Sequence, residues 1–184
     1  IVTEETHRLE QIIGDLLDLA RLEGGGGAIR HDRVDVSSLF ARVSSRHERE
    51  LRERGIRLVE RVEPGGEQVI GDRDRLEQAL QNLAANALRH TPDEGEITLT
   101  STPAREGVLL SVRDSGGGIP STHLPLIFDR FYKADASRKA AGGSGLGLSI
   151  VKAIVEQHGG TITARNDNGA VFEIWLPTKP VLTA

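Results

Sequence analysis

Three polar side chains on one predicted helix have the chemistry to hold a metal ion beside phosphates. At about 100° per residue, Asn82, Asn86 and Arg89 fall on one stripe. An amide oxygen is a hard ligand that suits Mg²⁺, which keeps several waters and takes further ligands from phosphates. The alternative is a solvated helix face with two incidental amides. Apolar residues lie about a quarter-turn away and are expected to pack on a sheet: Leu76, Leu80, Leu83 and Ala87.

An aspartate, Asp114, ends an apolar strand and leads into a glycine turn. A carboxylate at such a position can accept a hydrogen bond from the exocyclic amine of adenine, which guanine lacks at the same place. Gly116 and Gly118 let the backbone approach a flat base because they carry no Cβ. The alternative is an Asx-type turn at the end of a strand.

A glycine-rich segment containing Gly143, Gly145 and Gly147 runs directly into a predicted helix. A helix N-terminus offers unpaired N–H groups and the positive end of a dipole, and both suit phosphate. The spacing matches neither the P-loop pattern nor the dinucleotide-binding pattern. A surface loop without a ligand is the alternative.

An amphipathic helix is predicted over residues 4–23, because apolar residues recur there at steps of three and four. Four glycines follow and predict a flexible joint. We therefore divide the chain into a first helix (1–23), a glycine linker (24–27) and a main domain (28–184).

The main domain alternates predicted strands and helices. Ser37 is the expected N-cap of a helix that reaches Arg54, and Asp72 is the expected N-cap of the helix with the asparagines. Residues 115–145 lack periodicity, and so long a loop in a compact domain is usually a lid or a binding loop; we call them the lid. Strands are predicted at 33–36, 56–62, 68–71, 96–101, 108–113, 161–165 and 171–176, a further helix at 146–158, and a turn at 103–107.

Composition excludes several classes of function. A net charge of −4 and six aromatic residues (four Phe, one Trp, one Tyr) argue against nucleic acid. No apolar run reaches the ~18 residues that cross a bilayer, so no membrane contact is expected. The absence of cysteine excludes disulfides and thiol catalysis. The chain begins at Ile1 and contains no methionine, which predicts a fragment or a processed chain.

Taken together and in order, four motifs at residues 82–90, 114–119, 128–133 and 142–148 resemble the ATP-binding catalytic domain of sensor histidine kinases, the enzymes of two-component signalling. The resemblance covers roughly residues 28–178. It implies an α+β fold, a two-layer α/β sandwich of the Bergerat type, in which helices cover a mixed, mostly antiparallel sheet. ATP and Mg²⁺ are the implied cofactors.

The resemblance also implies roles for individual residues. Asn86 is expected to hold Mg²⁺, and Asp114 to read adenine. Asn82 and Lys133 are the expected catalytic residues, with Lys133 directed at the γ-phosphate. Phe128 and Phe131 are the expected anchors of the lid. The remaining residues of the implied ATP site are Arg89, His90, Gly116, Gly118, Ile119, Gly143, Ser144, Gly145, Leu146 and Gly147.

One position favours a kinase over an ATPase. The fold is shared with gyrase-type topoisomerases, mismatch-repair ATPases and a class of chaperones, which carry a water-activating glutamate four residues before the metal-binding asparagine. This chain has Asn82 there, and an amide cannot act as a base. Because phosphoryl transfer depends mainly on positioning and charge stabilisation, transfer to a protein is favoured over hydrolysis.

The phosphate acceptor is not found in the sequence. His7 does not fit the family's acceptor motif, and residues 1–23 instead resemble the second helix of the family's dimerisation hairpin. We therefore expect a fragment that binds Mg·ATP but does not phosphorylate itself. The implied partners are its own dimerisation and phosphoacceptor domain, in a homodimeric parent, and a response regulator. The implied location is the cytoplasmic part of a membrane sensor.

Two other functions remain open. One is a kinase of the same fold that phosphorylates serine on an anti-sigma antagonist, although such a kinase would lack the dimerisation-type helix. The other is a degenerate domain that binds a protein and no nucleotide, against which Asn86, Asp114 and the glycines of the lid argue.

Overall fold

The computed structural model describes residues 2–24, 29–133 and 144–179. Gly143 and residues 25–27 of the predicted linker lie outside this part of the chain, as does the side chain of His7. The elements in chain order are α1 (Val2–Glu23), β1 (Asp32–Asp35), α2 (Val36–Glu53), β2 (Arg57–Val62), β3 (Gln68–Gly71), α3 (Arg73–His90), β4 (Glu96–Ala104), β5 (Gly107–Asp114), α4 (Gly147–Gln157), β6 (Thr161–Asn166) and β7 (Ala170–Pro177).

The main sheet has five strands in the order β2-β4-β5-β7-β6. The β2–β4 pair is parallel, whereas β4–β5, β5–β7 and β6–β7 are antiparallel. Strands β1 and β3 form a separate antiparallel pair. This arrangement confirms the predicted mixed, mostly antiparallel sheet.

Helices cover one face of the main sheet. Helix α2 contacts β2, α3 contacts β5 and α4 contacts β6. Alternate residues of the central strands, such as Leu99, Leu110 and Ile174, are buried under these helices. The residues between them, such as Thr100 and Ser111, are only half-buried on the opposite face. The fold is therefore the predicted two-layer α+β sandwich, and its core lies between the sheet and the three helices.

Two aspartates begin the helices that flank the core. Asp72 caps α3 as predicted, because its Oδ1 accepts the N–H groups of Asp74 and Arg75 at 3.1 and 3.3 Å. Helix α2 begins two residues earlier than predicted. Its N-cap is Asp35, which accepts the N–H of Ser38 at 2.7 Å, and the predicted cap Ser37 lies inside the helix. Asp and Ser are equally good caps, so the end of β1 decides between them.

The β4–β5 hairpin is tighter than predicted. Strand β4 continues to Ala104 and β5 begins at Gly107, so only two residues separate the strands. The predicted turn at 103–107 was therefore too wide. Pro103 lies within β4, beyond Ser101, the last residue that β2 pairs.

Helix α1 packs on the main domain through its C-terminal half. Leu19 and Leu22 are buried, and α1 contacts α4. Gln78 Nε2 of α3 donates to Asp18 Oδ2 at 3.1 Å. Four large apolar residues of α1 stay exposed: Leu9, Ile13, Leu16 and Leu17. No helix among the described residues is both long and apolar enough to cross a bilayer.

A buried histidine joins the end of α4 to the start of α3. His158 is 3% exposed, and its Nε2 accepts the backbone N–H of Asp72 at 2.9 Å. Its other ring nitrogen therefore carries the proton, and Nδ1–H donates to the Ile154 carbonyl at 2.7 Å. Burial is the main cause that lowers the pKa of His158. Protonation of Nε2 would remove the acceptor that Asp72 uses.

We expect the free energy of unfolding to fall as the pH falls below about 6.5, the usual pKa of histidine. The pKa of His158 is lower in the folded state, so the unfolded chain binds the proton first and acid favours unfolding. His158→Gln keeps an acceptor near Asp72 without titrating, and urea unfolding at pH 7.5 and 5.5 should show a smaller pH dependence for this variant. His31→Gln is the comparison: His31 is exposed and its charge lowers the pKa of His158, so this variant should change the pH dependence less than His158→Gln does. An unchanged pH dependence in His158→Gln would contradict the assignment.

Candidate functional site

A cavity of about 240 Å³ opens between α3, the lid, the start of α4 and β7. Residues from well-separated parts of the chain line it: Asp15, Asn82, Ala85, Asn86, Arg89, His90, Asp114, Gly118, Ile119, Pro120, His123, Ile127, Tyr132, Lys133, Ser144, Gly145, Gly147, Leu148, Ala170 and Phe172. The walls mix apolar side chains, such as Ile127 and Phe172, with polar or charged ones, such as Asn86 and Lys133.

Helix α3 supplies one wall through the polar stripe that its spacing predicted. Asn82, Asn86 and Arg89 all line the cavity. The apolar neighbours of the stripe, such as Leu80 and Leu83, are buried in the core and fix the rotation of the helix. Asn82 Nδ2 also donates to the Gly147 carbonyl at 3.3 Å, so this side chain joins α3 to the first turn of α4.

Asp114 lines one end of the cavity and is 2% exposed. Its Oδ1 accepts two backbone N–H groups, from Gly116 at 2.8 Å and from Ala170 at 3.2 Å. Because both bonds fall on Oδ1, Oδ2 is left for a ligand. A buried carboxylate held in this way presents a hydrogen-bond acceptor in a fixed direction.

Two glycines make the close packing around Asp114 possible. A Cβ on Gly116 would lie 2.3 Å from the carbonyl oxygen of His90. Gly169 has a φ of +136°, and its Cβ would lie 1.8 Å from the carbonyl oxygen of Asp114. Side chains at these positions would therefore push apart the backbone that surrounds the carboxylate.

His90 stands at the rim of the cavity. Burial of its ring lowers the pKa of His90, and the positive charge of Arg89 lowers it further, while Asp114 acts in the opposite direction. Although the ring has close neighbours, the residue as a whole is exposed, so these effects are partly screened by water. The neutral imidazole is favoured, and its flat apolar face can contact an aromatic ligand.

The first part of the lid packs on the sheet through one phenylalanine. The rings of Phe128 and Phe172 meet edge to face with centroids 6.3 Å apart. The Tyr132 hydroxyl and His123 Nδ1 are joined by a hydrogen bond within the lid. Phe131, the other expected anchor, is 56% exposed and is not packed in this way. Its φ is +59°, and its backbone passes close to Gly145.

The opposite end of the cavity is polar. Lys133, Ser144, Gly145 and Gly147 line it at the start of α4. No side chain caps this helix, since its N-cap position is Leu146. The N–H groups of the first turn and the positive end of the helix dipole therefore suit an anion there.

Two predicted ligand-binding residues do not line the cavity. Leu146 is fully buried in the core, and Gly116 contacts Asp114 instead. Both residues adjoin residues that line the cavity and influence its shape without lining it themselves.

Helix α1 also reaches the cavity, which the sequence did not indicate. Asp15 lines the cavity, and its Oδ2 accepts a hydrogen bond from Ser144 Oγ at 2.7 Å. Arg130 of the lid forms an ion pair with Glu23 at the end of the same helix. Nothing in the local sequence around Asp15 distinguishes it from other solvated aspartates on an amphipathic helix. In contrast, Tyr132 lies inside a recognised motif and could have been included.

The polar side chains of the cavity fit a metal ion that is coordinated mainly by phosphate oxygens and water. Within the described ranges, no group of three or more His, Asp or Glu side chains could hold a metal ion. Asn86 contributes an amide oxygen at the cavity wall. Such a site suits Mg²⁺ that arrives with phosphates and takes most of its ligands from them and from water.

The two-layer α+β domain thus brings a buried carboxylate, the amides of α3 and an uncapped helix N-terminus around one cavity. Residues 71–180 match the family described as histidine kinase-, DNA gyrase B- and HSP90-like ATPase. The sensor protein SrrB of Staphylococcus aureus is 34% identical over 188 residues, which cover 98% of this chain and 31% of SrrB. The chain thus spans less than a third of the length of that curated relative.

Solved structures agree with this match. The catalytic domain of histidine kinase ThkA, in a nucleotide-free form, is 30% identical with a TM-score of 0.72, covering 83% of this chain and 99% of that domain. ThkA in complex with the response regulator protein TrrA gives 30% identity and a TM-score of 0.78, covering 98% and 50%. Full-length ShkA in complex with AMPPNP is 29% identical with a TM-score of 0.79, and the match covers 95% of this chain and 37% of ShkA. The chain therefore belongs to the histidine kinase-, DNA gyrase B- and HSP90-like ATPase family, as the catalytic domain of a sensor histidine kinase.

We expect Gly116→Ala to destabilise the domain by about 1–3 kcal/mol, because its Cβ would meet the fixed backbone of His90. Gly117→Ala is the matched control, since a Cβ there meets nothing within 4 Å and should change stability by less than about 0.5 kcal/mol. Thermal and urea unfolding measure both. Equal effects of the two substitutions would contradict the close packing around Asp114.

Proposed function

We propose that this chain binds Mg·ATP and donates the γ-phosphoryl group to a histidine on the dimerisation domain of a two-component sensor kinase. The observation that carries the proposal is the cavity itself, with a buried carboxylate at one end and an uncapped helix N-terminus at the other. The relative ShkA was solved with AMPPNP, an analogue of ATP, which supports this choice of ligand.

The end of the cavity that Asp114 lines suits adenine. Asp114 offers Oδ2 as an acceptor, and the exocyclic amine of adenine is a donor. Guanine presents a carbonyl oxygen at that position, which would face the carboxylate and be repelled. Gly118 and Ile119 lie beside Asp114 and offer a flat surface without a bulky side chain at the glycine.

The polar end suits the phosphates. Lys133 and Arg89 bring positive charge to the cavity wall, and the first turn of α4 adds N–H donors. Lys133 acts as a point charge toward the γ-phosphoryl group, without the two-pronged geometry of arginine. Asn86 would hold Mg²⁺, which when bound neutralises charge on the phosphate oxygens.

Asn82 supports transfer rather than hydrolysis. Its side chain lies in the cavity wall, and its amide nitrogen already donates to the Gly147 carbonyl. An amide cannot take a proton from water, so an ordered water beside it is not activated. The acceptor histidine, by contrast, is itself a nucleophile and needs only to be positioned.

The domain boundaries complete the proposal. Residues 1–23 are proposed to be the second helix of a dimerisation hairpin, residues 24–27 a linker, and residues 28–184 the catalytic domain. The partners are then the phosphoacceptor hairpin in a homodimer and a response regulator, as ThkA was solved with TrrA. The location is the cytoplasmic side of a membrane sensor, with no nucleic acid and no membrane contact by this chain.

Calorimetric titration with ATP, with and without Mg²⁺, tests the ligand, and GTP is the control. Asp114→Asn should weaken ATP binding by about a hundredfold, because the amide still accepts the backbone N–H groups but presents a donor to the adenine amine. Magnesium-dependent binding selective for ATP is expected of the unchanged chain. A folded chain that binds no nucleotide would support a protein-interaction domain instead, and unchanged affinity in Asp114→Asn would refute the role of Asp114.

Incubation with labelled ATP tests the reaction. The chain alone should acquire no acid-labile phosphate, whereas a histidine hairpin of a sensor kinase added with it should become labelled. Lys133→Ala should reduce that labelling by about tenfold or more, as expected for the loss of one charged contact to phosphate. Acid-stable phosphate on a serine would favour the serine-kinase alternative, and acid-labile phosphate on the isolated chain would contradict the missing acceptor.

A further inference from the structure

One side chain outside the cavity holds both backbone groups of a cavity residue. Asn166, at the end of β6, accepts the N–H of Ile119 on its Oδ1 at 2.8 Å. Its Nδ2 donates to the carbonyl oxygen of the same Ile119 at 2.7 Å. The amide thus pairs with Ile119 as a neighbouring strand would, across 47 residues of sequence.

The glycine before Ile119 makes this pairing possible. Gly118 has a φ of +75°, and a Cβ there would lie 2.9 Å from Asn166 Oδ1. The chain turns at Gly118, presents Ile119 to Asn166, and then enters Pro120, which begins the turns of the lid. Gly118, Ile119 and Pro120 all line the cavity.

The same hairpin that carries Asn166 also holds Asp114. The turn between β6 and β7 ends at Gly169, which packs on the Asp114 carbonyl, and at Ala170, whose N–H donates to the Asp114 carboxylate. Asn166 pairs with Ala170 across this turn. One hairpin therefore sets the positions of both the base-reading carboxylate and the first residues of the lid relative to each other.

We propose that Asn166 is a positioning residue for nucleotide binding, which fixes Ile119 and Gly118 at the distance from Asp114 that a base requires. This inference rests on the proposed function, since it assigns the cavity to ATP. Asn166 does not line the cavity, so it acts through the backbone of Ile119 and not by contact with the ligand. The part of the lid from Pro120 onward then follows a residue whose backbone is fixed.

Three variants of the chain test this role. Asn166→Ala removes both bonds to Ile119. Asn166→Asp keeps the acceptor for the Ile119 N–H but loses the donor. Asn168→Gly is the matched control in the same turn, because the Asn168 amide bonds only to Asp167 Oδ1 and its φ of +48° suits glycine.

The measurements are the exchange rate of the Ile119 amide, the affinity for ATP by calorimetry, and the thermal unfolding midpoint. Asn166→Ala should speed exchange of the Ile119 amide and weaken ATP binding, each by about tenfold, while exchange within β5 and β7 stays unchanged. Asn166→Asp should retain more protection of that amide than Asn166→Ala. Asn168→Gly should match the unchanged chain in all three.

Several results would overturn the proposal. Unchanged ATP affinity in Asn166→Ala would do so, as would an equal loss in Asn168→Gly. Faster exchange throughout the sheet together with a lower unfolding midpoint would show that Asn166 only stabilises the fold. If the unchanged chain binds no ATP, the proposed function itself fails. A chain that binds ATP equally well with and without Asn166 would refute only the role of Asn166.

Discussion

The buried carboxylate of Asp114 needs hydrogen bonds, and the way the chain provides them shapes the rest of the cavity. Removing a charged carboxylate from water is costly unless donors surround it. Here the donors are backbone groups of the glycine turn and of the β6–β7 hairpin. Both segments must therefore approach the end of β5 closely, and Gly116 and Gly169 occur where a Cβ would prevent that approach. The geometry that satisfies the charge is also the geometry that leaves one oxygen for a ligand.

The other end of the cavity depends on a different principle. Among the described residues, no buried charge organises this end. Helices α3 and α4 are instead fixed by their apolar faces in the core, and their polar groups face the space between them. Leu83 and Leu146 illustrate this, since both are buried while their chain neighbours Asn82, Gly145 and Gly147 line the cavity. The bond from Asn82 to the Gly147 carbonyl then sets the spacing of the two helices at the point where phosphates are proposed to bind. Rigid packing on one side and exposed donors on the other favour an anion at this end of the cavity.

The sequence predicts well what depends on local pattern. The polar stripe of α3 was predicted from helical spacing, the Asp72 cap from its residue type, and the strands of the two hairpins from alternation and turn residues. The class of the fold and the family were recognisable from four short motifs. Local alternatives caused the errors: Asp35 and Ser37 are both suitable caps, and Pro103 suggested a turn where the sheet tolerates a proline beyond the end of β2. Phe131 was expected from the resemblance to anchor the lid, whereas its side chain is 56% exposed.

Contacts between distant segments were beyond sequence reasoning. Asn166 lies 47 residues from the backbone that it holds, and Asp15 lies 129 residues from Ser144. Each is an ordinary polar residue in its local setting, a turn in one case and an amphipathic helix in the other. Only the folded arrangement of β6 beside the glycine turn, or of α1 beside α4, gives these side chains their partners. Short-range patterns therefore identify the residues of the cavity wall better than the residues that hold the wall in place.

The position of α1 has a thermodynamic consequence. The helix buries Leu19 and Leu22 in the core and at the same time contributes Asp15 to the cavity wall. A ligand in the cavity thus meets a surface that belongs partly to α1, and its affinity differs between the docked helix and a displaced one. Linkage requires the reverse as well: whatever the ligand gains or loses from the docked helix, the docking equilibrium of the helix changes by the same free energy. A force applied to α1 from elsewhere in a longer protein would therefore be transmitted to the cavity without any change in Asp114 or in the backbone around it.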